Sequence, residues 1–235
     1  MVKTVLFPEV CPFCGKASAR GICKRCMEKL EKLRPKEPLC MKCGKPVRFM
    51  WQEYCYDCAH TYHYYDRGRA LWLHLPPVSR SIYRFKFHNQ RVFAKYYAKE
   101  AGVSLENVIQ AWNPSLIIPV PLHKAKKRRR GYNQAELFAE ELSRVFSIPA
   151  DGSVLVRTRN TSPQKRLGMR ERKKNLEGAF RVAGDEEQKK VQKKKLLLVD
   201  DIYTTGSTLD AAAKALKSAG AEKVYYLTIS IGQGY

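Results

Sequence analysis

Two adjacent carboxylates and four hydroxyls crowd one short stretch, Asp200-Asp201-Ile202-Tyr203-Thr204-Thr205-Gly206-Ser207-Thr208. Gly206 lets the backbone approach a ligand closely, so successive N–H groups can form a concavity for an anion. Thr204, Thr205, Ser207 and Thr208 add neutral donors for phosphate oxygens. Asp200 and Asp201 would repel that phosphate, so their task is different: a sugar diol, or a magnesium ion reached through water. A ligand with a phosphate at one end and vicinal hydroxyls at the other is a ribose 5-phosphate. A capped helix following a strand would account for a lone Thr-Thr-Gly, but not for the acid pair beside four hydroxyls.

The second group of reactive side chains is sulfur. Eight cysteines fall in the first quarter of the chain as four Cys-x-x-Cys knuckles: Cys11/Cys14, Cys23/Cys26, Cys40/Cys43 and Cys55/Cys58. Each knuckle turns two thiolates toward one ion, and two knuckles complete a tetrahedral zinc site. Taken in order, Cys11, Cys14, Cys23 and Cys26 make one site, and Cys40, Cys43, Cys55 and Cys58 the other. An interleaved pairing satisfies the spacing equally. Four sulfurs per ion leave no open position, so the metal is expected to be structural, with His60 and His63 solvated or packed. Trp51 and Tyr54, among lysines and arginines, offer a stacking surface for a base.

Elements must hold these groups. Leu196–Val199 is short, apolar and bounded by polar residues, as a buried parallel strand is. Leu209–Ala219 has helical spacing, with Ser207 or Thr208 available as N-cap. Strand, acidic turn, hydroxyl loop and helix together place a phosphate at the carboxyl end of a parallel strand, against a helix N-terminus. Further strands are expected at Arg69–Leu75, Leu116–Val120, Val154–Arg157 (an edge) and Lys223–Ile231. Helices are expected within Val78–Tyr97, whose aromatics read mainly as core, and over Tyr132–Phe146, with Leu137, Phe138, Leu142 and Val145 inward. Between them Lys124, Lys126, Lys127, Arg128, Arg129 and Arg130 form a basic loop facing the same crevice as Asp200. Guanidinium groups match pyrophosphate by bidentate geometry. Thr158–Gly178 is a long polar loop, which in a compact domain points to function or disorder.

The 235 residues carry 44 Lys and Arg against 22 Asp and Glu, a formal charge of +22. That excess points to polyanionic partners. No apolar run reaches the roughly 20 residues of a membrane helix, and Pro8 and Glu9 interrupt any signal sequence, so a cytoplasmic protein without membrane insertion is expected.

Val199 to Thr208 closely resembles the signature of type I phosphoribosyltransferases, which bind phosphoribosyl pyrophosphate. The resemblance implies that Asp200 and Asp201 hold the ribose hydroxyls and that Thr204, Thr205, Gly206, Ser207 and Thr208 cradle the phosphate. Tyr203 stands where a small aliphatic residue is common in that family, and no base-selecting hood is recognisable. Residues 1–66 resemble a double zinc ribbon. The whole chain is similar to the ComF group of competence-associated proteins. The similarity rests on the knuckles, Pro119-Val120-Pro121-Leu122-His123, Arg130-Gly131-Tyr132-Asn133-Gln134, Thr161-Ser162-Pro163-Gln164, Lys174 to Phe180 and the Asp200 loop.

The implied fold is α/β: a phosphoribosyltransferase-like parallel sheet flanked by helices (67–235) after a small zinc-ribbon domain (1–66). The implied function is binding of incoming single-stranded DNA in natural transformation, beside a helicase-like ATPase, with phosphoribosyl pyrophosphate and magnesium as ligand. One alternative is catalytic transfer of phosphoribose, in which Arg128, Arg129 and Arg130 stabilise departing pyrophosphate and residues 158–178 close over it. Another is an adaptor with a vestigial crevice.

Overall fold

The computed structural model describes residues 9–19, 21–159, 176 and 178–233. In chain order the elements are α1 (Lys24–Lys32), α2 (Tyr56–His60), β1 (Arg67–Leu73), α3 (Val78–Phe87), α4 (Phe93–Trp112), β2 (Leu116–Pro119), α5 (Lys124–Arg130) and α6 (Gln134–Phe146). They continue with β3 (Leu155–Arg157), β4 (Phe180–Val182), α7 (Asp185–Val191), β5 (Lys195–Tyr203), α8 (Ser207–Ser218) and β6 (Lys223–Ile231).

Four strands form a parallel sheet in the order β1-β6-β5-β2. β5 is central and buried on both faces, as its unbroken apolar run requires. Leu197 and Val199 join one hydrophobic cluster, with α3, α4 and α6. Leu196 and Leu198 join the other, with α8 and the β3–β4 hairpin. Parallel register carries Pro119 of β2 beside Val199, so the chain leaving β2 emerges at the same carboxyl edge as Asp200.

The cysteine segment straddles this sheet. Cys11, Phe13, Ile22, Cys26 and Leu30 pack into the α3–α4 cluster, whereas Cys40, Cys43, Val47 and Cys55 pack into the α8 cluster. The segment also closes the sheet's β1 edge: Gly68 N–H donates to the Lys42 carbonyl and Leu73 N–H to that of Leu33, both at 2.8 Å. Covering an edge strand in this way hinders its pairing with another chain. Gly68 also makes room for Tyr226 of β6, whose ring a Cβ there would meet at 2.0 Å.

Several expectations need correction. The acids do not follow β5 but lie on its last residues, because β6 keeps pairing as far as Tyr203. Helix α8 starts at Ser207 and its N-cap is Gly206, so neither Ser207 nor Thr208 is the cap. The basic run is a helix, α5, capped by His123 Nδ1 accepting from Ala125 N–H at 3.3 Å. Val145 faces outward. Residues Leu155–Arg157 pair with Phe180–Val182 in a separate antiparallel hairpin and are not an edge of the main sheet. The long loop expected to close over the crevice falls largely outside the described residues.

Candidate functional site

The carboxyl edge of β5 brings the acid pair, the hydroxyl loop and a cluster of cations together. Asp201 N–H donates to Asp200 Oδ1 at 2.8 Å, and Lys86 Nζ from α3 pairs with Asp201 Oδ2 at 2.8 Å. Asp200 is held up to about 7, first by desolvation and then by the charge of Asp201, against the pull of Lys86 and Arg157. A carboxylate this reluctant to ionise awaits a partner for its charge.

The cations converge from two directions. Arg130, ending α5, lies over the Phe87 ring at 5.1 Å and bonds Gln134. Burial lowers its proton affinity, and the field of Asp201 partly restores it. Arg157, ending β3, is likewise depressed by burial and supported by Asp200. Lys126 is depressed by burial and then by Arg157, Arg130 and Arg129. Cations that lower one another's proton affinity form a site of strong positive potential, which a polyphosphate would relieve. Of the three arginines marked in sequence, Arg130 is turned toward the acids, while Arg128 and Arg129 are exposed on α5. Lys86 and Arg157 escaped the sequence reading. One sits among core aromatics and the other ends a three-residue strand, and neither has local spacing that marks it.

The hydroxyl loop is built on one glycine. Gly206 has φ +74°, and a Cβ there would meet Tyr203 Oη at 2.5 Å and ring carbons at 2.7 Å. Thr205 Oγ1 and Ser207 Oγ lie 2.9 Å apart, and Ser207 opens the twelve-residue α8, whose N–H groups point at the loop. Gly206→Ala combines left-handed strain with a clash against a buried ring, and is expected to cost about 2–4 kcal/mol in denaturant unfolding. On the other side Asn133 caps α6 by accepting from Ala135 N–H, while its Nδ2 donates to the Val120 carbonyl at 3.1 Å. That residue fixes the exit of β2, which accounts for the Gly-Tyr-Asn-Gln stretch.

Both sulfur groups assemble in sequence order: Cys11, Cys14, Cys23 and Cys26, and separately Cys40, Cys43, Cys55 and Cys58, each with its ligand atoms within 4.8 Å of one another. Four thiols at that separation fit one tetrahedral zinc, and the interleaved pairing is not the one formed. The histidines stand outside both groups. His60 is exposed, with Nδ1 2.8 Å from the Tyr56 carbonyl, and His63 is buried against Tyr65.

These two features define a class: a double zinc ribbon joined to a phosphoribosyltransferase fold. Residues 2–59 match the family model described as a double zinc ribbon domain, and residues 133–230 match the phosphoribosyl transferase domain. The chain is 31% identical to Competence protein F of Haemophilus influenzae over 207 residues, covering 87% of each chain. It is also 31% identical to DNA utilization protein YhgH of Escherichia coli K12 over 226 residues, covering 92% of this chain and 94% of that one. Competence protein ComFC of Bacillus subtilis is 26% identical over 205 residues, covering 85% and 79%. The chain belongs to this competence protein F family. Among the described residues, no helix is long and apolar enough to cross a membrane.

Proposed function

We propose that the crevice at the carboxyl edge of β5 binds phosphoribosyl pyrophosphate with a divalent cation, and that the protein serves DNA uptake or use by handling single strands. The observation that carries the first part is the meeting of three chemistries at one edge. These are an acid pair for a diol, a glycine-built loop at a helix N-terminus for a phosphate, and Lys126, Arg130 and Arg157 for a pyrophosphate. The carboxylate oxygens of Asp200 and Asp201 are hard donors of the kind magnesium uses through water, and the ion would neutralise pyrophosphate charge. The relatives' names, competence and DNA utilization, support the second part, as does the formal charge of +22. A second reading, transfer of phosphoribose with pyrophosphate leaving, draws on the same cations, since they would stabilise departing negative charge.

Calorimetry with phosphoribosyl pyrophosphate and magnesium tests the crevice, and a pyrophosphate-release assay on the same samples separates binding from transfer. Absence of saturable heat would remove the proposal. The pH dependence has a definite sign. Desolvation and the charge of Asp201 hold Asp200 up to about 7 in the free protein, and its ionised form is the stronger acceptor for a diol, so affinity should rise with pH from about 6 to about 8. The limiting slope is about tenfold per unit below 7, with one proton released per ligand bound. Asp201→Asn removes the neighbouring charge and should move that midpoint toward acid. A midpoint unmoved by this substitution would assign the proton to the ligand.

A further inference from the structure

Helix α3 turns two faces in opposite senses. Val78, Ser81, Ile82 and Phe85 are buried, as an amphipathic helix demands. The opposite face carries Arg80, Tyr83, Arg84 and Phe87, at the spacing that aligns residues along one stripe. Tyr83 and Phe87 are 55% and 56% exposed, with ring centroids 5.0 Å apart, and His88 extends the row 5.5 Å from Tyr83. Large rings left in water side by side on a highly charged protein make a stacking platform.

Cations stand at both ends of that row. At the amino end of α3 a cavity of about 500 Å³ is lined by Arg25, Lys29, Arg80, Arg84 and Tyr83, together with Cys14 and Cys26 of the first sulfur group and no Asp or Glu. Arg84 is committed to the Pro12 carbonyl at 2.6 Å. Among the described residues, Arg25, Lys29 and Arg80 have no carboxylate partner. At the carboxyl end the Arg130 guanidinium covers Phe87, and Lys86 reaches Asp201 in the sugar crevice. From Arg80 to Phe87 the helix advances about 10 Å, so cavity, rings and crevice form one continuous path.

We infer that the outward face of α3 is a single-stranded nucleic-acid track, resting on the reading that this protein handles single strands. Bases stack on Tyr83 and Phe87. Phosphates occupy the Arg25–Lys29–Arg80 cavity at one end and lie near Arg130 at the other, so a strand on the track runs to the mouth of the sugar crevice. An acidic peptide could match the cations but not the paired rings. Another exposed pair, Phe49 stacked on Trp51 at 4.7 Å, has Arg48 beside it and lies outside the wall of the Arg25–Lys29–Arg80 cavity.

Fluorescence anisotropy of a labelled oligothymidylate on the full chain tests this. Tyr83→Ala/Phe87→Ala should weaken binding by roughly tenfold or more, as loss of base stacking does elsewhere. Arg25→Ala/Lys29→Ala/Arg80→Ala should reduce the slope of log K against log salt by about 2 units, at roughly 0.7 per phosphate contact. Phe49→Ala/Trp51→Ala tests the rival stacking surface expected from sequence at Trp51 and should lose less than about threefold if α3 is the track, and circular dichroism checks that each variant is folded. The track is overturned if the α3 aromatic variant binds normally, if the Phe49/Trp51 variant is the one that fails, or if polyglutamate displaces the oligonucleotide at equal charge. An unmodified chain that bound no oligonucleotide at low salt would remove the single-strand reading and the track with it. Normal binding by the α3 variants would remove the track alone.

Discussion

Asp200→Asn combined with Asp201→Asn is expected to abolish saturable binding of phosphoribosyl pyrophosphate while leaving the fold intact. Each carboxylate that accepts a diol hydroxyl makes a charge-assisted hydrogen bond worth about 1.5–3 kcal/mol. Losing two such bonds predicts a fall in affinity of roughly a hundredfold to ten-thousandfold. Stability should move little, for reasons local to the pair. Asp200 carries its charge against desolvation and against Asp201, so the amide relieves a cost that the ligand-free protein bears. Lys86, whose side chain is 19% exposed, loses its carboxylate partner, but the amide oxygen left at position 201 can still accept from its ammonium, which limits the loss. Calorimetry and thermal unfolding on the same preparation separate the two effects. Affinity within about fivefold of the parent would show that the acids do not hold the sugar. A collapse in thermal stability would show that they are structural.

The site was legible to the extent that its chemistry is local in sequence. The acid pair, Gly206 and the hydroxyls sit on one strand–loop–helix unit, so residue type and spacing place them without tertiary information. The four knuckles are legible for the same reason, because two thiolates separated by two residues must face one ion. The two parallel strands flanking β5 were also visible, since β-branched apolar runs survive as signals at short length.

What escaped depends on tertiary contact. Lys86 lies on a helix whose sequence advertises core, and only the packing of α3 against the end of β5 puts its ammonium on Asp201. Arg157 reaches Asp200 through a hairpin whose second strand, Phe180–Val182, carries no strand pattern of its own. The run Lys124–Arg130 reads as a loop because like charges repel, yet His123 caps it and Gly131 ends it in the left-handed region, so it forms a helix. Tyr203, noted in sequence as a departure from the family pattern, is part of the structural link between the ribbon and the loop. Its ring stacks on Tyr226 at 5.1 Å and its hydroxyl lies 2.7 Å from that of Tyr65.

That link makes loss of the second sulfur site the other large effect. Cys43 is fully buried, with its Sγ 3.6 Å from that of Cys55. Tyr226 Oη donates to the Cys43 carbonyl at 2.7 Å, and Tyr226 stacks on Tyr203, which fills the space where a side chain on Gly206 would go. Lys45, next along the knuckle, is paired with Asp57 at 2.8 Å and lies 5.6 Å from the Tyr203 ring. The knuckle therefore supports the floor of the hydroxyl loop. Cys43→Ser leaves three thiols and a hydroxyl unable to hold zinc at full strength, inside a core with no room to relax. A structural zinc contributes folding energy outright, so a loss of about 4 kcal/mol or more is expected. At about 2–4 °C per kcal/mol for a chain of this size, melting should fall by about 8–16 °C. Because the knuckle backs Tyr203 and Gly206, affinity for phosphoribosyl pyrophosphate should fall by at least about tenfold even at temperatures where the chain stays folded. Cys14→Ser provides the contrast. Its site packs on the α3–α4 face, away from Tyr203, so stability should drop while sugar affinity holds. Zinc content by mass spectrometry, melting and calorimetry on both variants decide the matter: equal affinities after loss of either metal would mean that the ribbon stabilises the sheet without shaping the loop.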